Sequence, residues 1–345
     1  MAGRLRAWFD DLLPMEARLV AELPSGDGWQ FEPKWDGFRV LILKDGPDVE
    51  LKSKSGKSLT RFFPELAAAI GALGDRALSL DGEIILPVSD MLSFDALQQR
   101  LHPAASRIAR LSRETPAEIM LFDVLHRGST RLADRPLEER RTALEAWHAT
   151  IRSPVLHLSP MTRDARQAKA WLDRTGGALD GIVAKRRDAP YRGGERAMAK
   201  IKQQRTADCV VGGFREADGA VVSLLLGLYG PDGKLNHVGF TSAIARDQRR
   251  ELRDRLLPLV APPGFTGKAP GGPSRWSGKR TSDWLPIKPS LVVEVRYDQV
   301  TGGRFRHGTR LLRWRPDKAP EQCTSDQLEQ PLSPAQLGSL IREWE

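Results

Sequence analysis

The chain has 345 residues, more than one ordinary hydrophobic core supports, so two domains are expected. A formal charge of +9 favours a polyanionic partner, although charge alone does not separate DNA, RNA and an anionic membrane. Two cysteines, Cys209 and Cys323, are too few for a disulfide framework, no Cys/His spacing suggests zinc, and no apolar run approaches the ~18 residues of a membrane span. Residues 1–8 lack the long apolar region of a secretory signal, so a cytoplasmic protein is expected.

In chain order, Met15 to Leu23 reads as a short helix ended by Pro24-Ser25-Gly26. Lys34 follows, in Glu32-Pro33-Lys34-Trp35-Asp36-Gly37-Phe38-Arg39, on a turn before two strands, Phe38 to Lys44 and Val49 to Ser53. Helical spacing covers Phe63 to Leu73 and Phe94 to Leu101. Ala77 to Leu86 reads as a strand interrupted by Asp81-Gly82-Glu83, and Glu118 to Leu125 as a buried strand. Helices are predicted at Pro136 to His148 and at Ala165 to Arg174, the second closed by Gly176-Gly177. Strands follow at Gly181 to Lys185 and Ala199 to Gln203.

The texture then changes. Ala207 to Phe214, Val221 to Tyr229, Leu235 to Phe240, Leu291 to Asp298 and Arg310 to Trp314 read as five strands, with one helix at Ala243 to Leu257. That set suits a small barrel such as an OB-fold. Pro262 to Trp284 reads as a long functional loop. The boundary is placed near Gln203 to Thr206, giving domains 1–203 and 204–345.

Lys34 is the candidate nucleophile, an amine that can attack a nucleotide α-phosphate. An ordinary lysine costs about 4.6 kcal/mol to deprotonate at neutral pH, so its site needs nearby positive charge or burial. Lys200 and Lys202 fit that need because positions i and i+2 share one strand face; a plain exposed face is the other reading. Phosphoryl chemistry also calls for a divalent metal and carboxylates, for which Glu83 and Asp180 stand out, both also readable as turn residues beside glycine. Phe122 could stack on a base or sit in the core. Arg304, Arg306, Arg310 and Arg313, with aromatics between them, suit a phosphate backbone.

Together these residues resemble the covalent nucleotidyltransferase superfamily, specifically ATP-dependent DNA ligases, over nearly the whole chain and in the family's motif order. The resemblance implies an α+β nucleotidyltransferase domain of ATP-grasp-like antiparallel sheets with helices, followed by an all-β OB-fold domain. It makes Lys34 the adenylated lysine, Glu32 the reader of the adenine amino group, Glu83 a ribose-binding acid and Phe122 the adenine-stacking aromatic. Arg39 would touch the ribose or the nick phosphate, Asp180 would help hold metal, and Lys185 closes the same motif. Lys200 and Lys202 resemble the phosphate-binding lysines, and Arg315 and Lys318 the pair that orients the leaving pyrophosphate. Lys54 stands where the family usually has arginine, Asp180 where it usually has glutamate, and Ile119 where it often has tyrosine.

The resemblance implies ATP and Mg2+ or Mn2+ as cofactors and nicked duplex DNA as substrate. It further implies a cytoplasmic, nucleoid-associated monomer acting in repair, with a Ku-like end-binding protein or other repair proteins as partners. The short stretch before Lys34 points to the minimal two-domain bacterial type, in particular the C-type ligases. Two alternatives stand beside this reading: an RNA ligase or RNA-capping guanylyltransferase, and a non-enzymatic OB-fold DNA-binding protein.

Overall fold

The computed structural model describes residues 2–88, 91–174, 179–202, 205–271, 283–298, 300–306 and 308–328. Residues fall into two compact units, one reaching Gln203 and one spanning Gln204–Gln330. Gly176, Gly177, Gln203, Gln204, 272–282, His307 and 329–345 lie outside the described residues, and with them part of the expected loop and of the expected boundary.

Two main sheets build the first unit, beside a short two-stranded ribbon of Pro87–Val88 and Met91–Leu92. The larger runs in the order Leu156–Leu158, Glu118–Arg127, Ala77–Ile85, Phe38–Asp45, Asp48–Ser53, with Thr130–Arg131 paired to Glu118–Arg127. The unbroken apolar run Val40 to Leu43 is explained by burial on both faces. Val40 and Ile42 join one core with Leu51, Phe63, Leu66 and Leu80. Leu41 and Leu43 join another with Leu5, Phe9, Leu12 and Met15. The smaller sheet runs Ala17–Leu19, Met198–Ile201, Gly181–Arg186, Trp29–Lys34. Its last strand is an edge, closed over Phe31 by a two-way bridge to Thr162, with Pro33 next along that edge.

Four expectations need correction. Met15 to Leu23 is not a helix: Ala17–Leu19 pairs in parallel with Met198–Ile201, whose backbone groups satisfy those of Glu16 and Val20. Its spacing of apolar residues fits helix and strand alike, and sheet pairing decides between them. Asp81-Gly82-Glu83 does not interrupt its strand; Ala77–Ile85 runs through, with a register shift at Asp81/Gly82 against Glu118–Arg127. Lys34 ends the strand Trp29–Lys34 rather than lying on a turn. The helix expected from Ala243 begins only at Arg249, after a single 3-10 turn at Arg246–Gln248. Helices Ala2–Asp11 and Ala105–Glu114 were not foreseen.

The second unit is a barrel. Its sheet order is Leu235–Thr241, Ala220–Tyr229, Arg205–Ala217, Val292–Tyr297, Arg310–Trp314. Thr241 then bridges in parallel to Thr309, immediately before Arg310, and the Thr241 hydroxyl donates to the Thr309 carbonyl at 2.9 Å. That contact closes the sheet on itself, with Leu252 and Leu256 of helix Arg249–Leu256 sealing its core. Five strands in this order, with a helix between the third and fourth, form an OB-fold. No helix among the described residues is long and apolar enough to cross a membrane.

Glycine at 37 is dictated by space. A Cβ there would lie 2.0 Å from the Ile84 carbonyl oxygen, a backbone atom that cannot swing away. Gly37→Ala is expected to cost about 3 kcal/mol or more, the upper range for a forced overpacking, read as a fall in the urea unfolding midpoint.

Candidate active site

The chain leaves the smaller sheet at Lys34 and enters the larger one at Phe38, so the three residues Trp35, Asp36 and Gly37 cross between the sheets. Trp35 fixes the crossing: it is buried, packs with Ile85, Met120 and Leu179, and its indole N–H donates to the Ser159 hydroxyl at 2.9 Å. Lys34 is thereby presented at a cleft lined also by Glu32, Arg39, Glu83, Phe122 and Lys185, with Lys54 and Lys200 at its walls.

Alternation along the strands explains the set. Lys34 and Glu32 sit opposite Gly181 and Val183, and Val183 sits opposite Lys200, so their side chains share one face. Asp180 is joined to this row by its N–H, which donates to the Lys34 carbonyl at 2.9 Å. Gly181 follows with φ +140°, and a Cβ there would strike the Ile201 carbonyl, so the turn that delivers Asp180 requires glycine.

Asp180 is the hub. Its buried carboxylate pairs with the Lys34 amine through Oδ2 and with the Lys202 amine through Oδ1 at 2.9 Å. Burial works to raise the Asp180 carboxyl, yet the two ammoniums outweigh it and hold it below the usual carboxylate range. The Lys34 amine is therefore engaged rather than free. Lys200 stands beside them: burial, then the Lys34 and Lys202 charges, lower its amine from the ordinary value.

At the other end of the cleft, Glu32 and Lys185 form a buried ion pair at 2.7 Å, and Gln30 donates to the second Glu32 oxygen at 2.8 Å. Lys185 Nζ and the Arg39 guanidinium each lie 4.5 Å from the centre of the Phe122 ring. Phe122 is thus both buried and cleft-lining, so the alternatives of core and site residue coincide. Glu83 is the register partner of Arg39; burial pushes its carboxyl up to about 7, against the pull of Arg39 and Lys34. Lys54 is exposed at the rim and pairs with Glu16 at 3.1 Å.

Two supporting residues escaped the sequence reading. Asp81, fully buried, grips Arg39 through both oxygens at 2.5 and 2.6 Å, and Tyr191 donates to the same carboxylate at 2.6 Å. The Met15 N–H in turn donates to the Tyr191 hydroxyl at 2.9 Å. Burial and the Asp81 charge push the Tyr191 phenol well above its ordinary value, so it remains a donor. The one available signal was an acid at the centre of an apolar strand, beside the Glu83 that drew attention first.

In the second unit, Arg315 and Lys318 converge on Asp208, at 2.9 and 2.7 Å, and Arg315 also holds Asp317. Asp208 too went unnoticed in the sequence. Of the arginine stripe, Arg310 and Arg313 lie on the strand Arg310–Trp314, where Arg313 pairs with Glu294 of the neighbouring strand at 2.5 Å. Arg304 lies 3.1 Å from His237, and Arg306 is engaged within the structure. The stripe is therefore partly internally paired.

A lysine–carboxylate cluster in a cleft between two sheets, in a chain that continues into an OB barrel, defines the class of covalent nucleotidyltransferases. Family comparison narrows it. The ATP dependent DNA ligase domain matches residues 15–202 and the ATP dependent DNA ligase C terminal region matches residues 217–318. DNA ligase C2 of Mycolicibacterium smegmatis is 45% identical over 337 residues, covering 92% of this chain and 94% of that protein. The multifunctional non-homologous end joining DNA repair protein LigD of Mycobacterium tuberculosis is 33% identical over 334 residues, which are 92% of this chain and 40% of that protein. Among solved structures, a Lig E DNA ligase shares the fold with a TM-score of 0.56 at 16% identity, over 88% of this chain and 99% of its own. The chain belongs to the ATP-dependent DNA ligase family.

Removing the carboxylate under Arg39 leaves a half-buried guanidinium uncompensated. Asp81→Ala is expected to destabilise the first unit by about 3 kcal/mol, against about 1 kcal/mol for Tyr191→Phe, measured by urea unfolding.

Proposed function

We propose that Lys34 is the residue through which this ATP-dependent DNA ligase carries AMP, and that the enzyme seals nicks in duplex DNA during repair. The observation that supports this most is the Lys34 amine set on Asp180 among Lys200 and Lys202, in a cleft that also holds Phe122 and Glu32. In the first step the amine attacks the ATP α-phosphate, a P–N bond forms and pyrophosphate leaves. The AMP then passes to the 5′-phosphate of the nick, and Lys34 is regenerated. Last, the 3′-hydroxyl attacks that phosphate and AMP leaves.

Each displacement depends on alignment and charge neutralisation more than on acid–base strength. Asp180 aims the amine. Lys200 and Lys202 neutralise the α-phosphate. Phe122 stacks on adenine, with Glu32 and Lys185 at the base edge and Glu83 and Arg39 toward the ribose. In the barrel, Arg315 and Lys318 orient pyrophosphate, while Arg304, Arg306, Arg310 and Arg313 take the DNA backbone, with Lys54 serving the same backbone from the cleft rim. The last two steps need the barrel's cations gone from the nucleotide, which is the reason for expecting domain movement.

A divalent ion would be held jointly by this site and the nucleotide's phosphates. No cluster of three His, Cys, Asp or Glu exists among the described residues, so the protein alone forms no metal cage. Magnesium commonly takes one or two carboxylates with phosphates completing its shell. Asp180 and Glu83 would supply the protein's share, and the ion would neutralise phosphate charge.

Incubation with labelled ATP should mark the wild-type chain, GTP should not, and Lys34→Ala should lose both labelling and nick sealing while keeping its thermal unfolding. Nick sealing by Lys34→Ala at the wild-type rate would overturn the assignment. A second expectation concerns pH. Glu83 binds its proton more tightly folded than unfolded, so its contribution to stability is present below pH 4.5 and is lost as pH rises to about 7. Glu83→Gln should therefore melt at the wild-type temperature in acid and above it at about pH 8.

A further inference from the structure

The smaller sheet has a second occupied face. Lys34, Glu32, Lys185 and Lys200 face the nucleotide cleft, so the intervening residues face away. On that opposite side lies a second groove whose charged and aromatic lining is Arg18, Trp29, Arg186, Arg192, Arg196 and one acid, Glu195. Nothing in the ligation steps uses it.

Its cations are only partly spent. Arg186 pairs with Asp188 at 2.7 Å and its guanidinium lies 5.4 Å from the Trp29 ring centre. Arg192 reaches Glu195 only at 3.7 Å. Arg18 and Arg196, both exposed, have no side-chain partner among the described residues. The groove is also prebuilt. Glu16 donates to the Glu195 carbonyl at 2.8 Å and Gly194 to the Pro14 carbonyl at 3.1 Å, which ties the Arg192 to Arg196 loop to the start of the sheet. A Cβ at Gly193 would lie 2.6 Å from the Leu13 carbonyl, so that loop packs directly on backbone. A group of guanidiniums carried on a tied backbone beside an indole suits a phosphodiester backbone, since each planar fork takes phosphate oxygens in pairs.

We propose that this groove binds the phosphate backbone of the DNA substrate away from the nick, extending the footprint beyond the catalytic cleft. The proposal rests on the DNA ligase reading above and adds a second contact surface to it. Because the groove lies on the opposite side of the sheet from Lys34, it engages only DNA with enough duplex flanking the break. It does not touch the nucleotide.

The test is the double variant Arg18→Ala/Arg196→Ala, with Arg18→Lys/Arg196→Lys as the charge-keeping control. Both should take label from ATP as wild type does, which reports the adenylylation chemistry separately. Binding to a nicked duplex with long flanks should weaken roughly tenfold in the alanine variant at moderate salt, and the slope of log affinity against log salt should fall by about 2. Binding to a nick with flanks trimmed to a few base pairs should not change, and the lysine control should recover most of the long-flank affinity. Unchanged affinity and salt slope on long flanks would overturn the proposal, as expected if an acidic peptide occupies the groove instead. An equal loss on short and long flanks would overturn it too, since the arginines would then belong to the nick contact itself.

Discussion

The passage of the chain from one sheet to the other, within Trp35-Asp36-Gly37, constrains everything else in the first unit. Gly37 lies against the Ile84 carbonyl with no room for a side chain, and Trp35 is held by Ser159. Those two contacts set the distance between the sheets. Because Lys34 ends one strand and Arg39 is the second residue of the next, both line the cleft between them. The cleft is thus a consequence of how tightly the crossing packs, and its chemistry is inherited from two strand ends.

A second layer of order comes from buried charge. Asp81 and Asp123 are register partners on adjacent strands, and each grips an arginine in bidentate fashion, Arg39 and Arg140 respectively. Burying Asp81, Asp123 and Arg140 and half-burying Arg39 is costly, and such pairs contribute less to net stability than to fixing a single geometry. Here the geometry fixed is that of Arg39, one face of which covers Phe122. The Tyr191 hydroxyl links this layer to the Met15 backbone, so the end of the amino-terminal segment also bears on the placement of Arg39.

Much of this was legible in the sequence because the signals were local. The string around Lys34, the Asp180-Gly181 turn and the Lys200/Lys202 alternation each carry their meaning within a few residues. The five barrel strands were readable from alternation and from turns between them. What escaped was decided at long range. Ala17–Leu19 becomes a strand only because Met198–Ile201 is there to pair with it. Asp81 matters because it grips Arg39, 42 residues away in sequence, through both of its oxygens. Asp208 gains its role from Arg315 and Lys318, more than a hundred residues later. Charges that serve as partners for other charges leave no periodic trace in a chain.

Pro33 sits one residue before the lysine, on an edge strand. Phe31 exchanges both of its backbone bonds outward with Thr162, while Lys34 accepts inward from Asp180, so Pro33 shares the outward phase with Phe31 and places its missing N–H on the free side. A further strand there would find no donor at this position, which favours the inner pairing with Gly181–Arg186. This matters because a slip of one residue would turn Glu32 and Lys34 away from the cleft and bring Phe31 and Pro33 into it. The proline thus acts as a register lock, keeping the amine on the side of the sheet where a nucleotide can meet it.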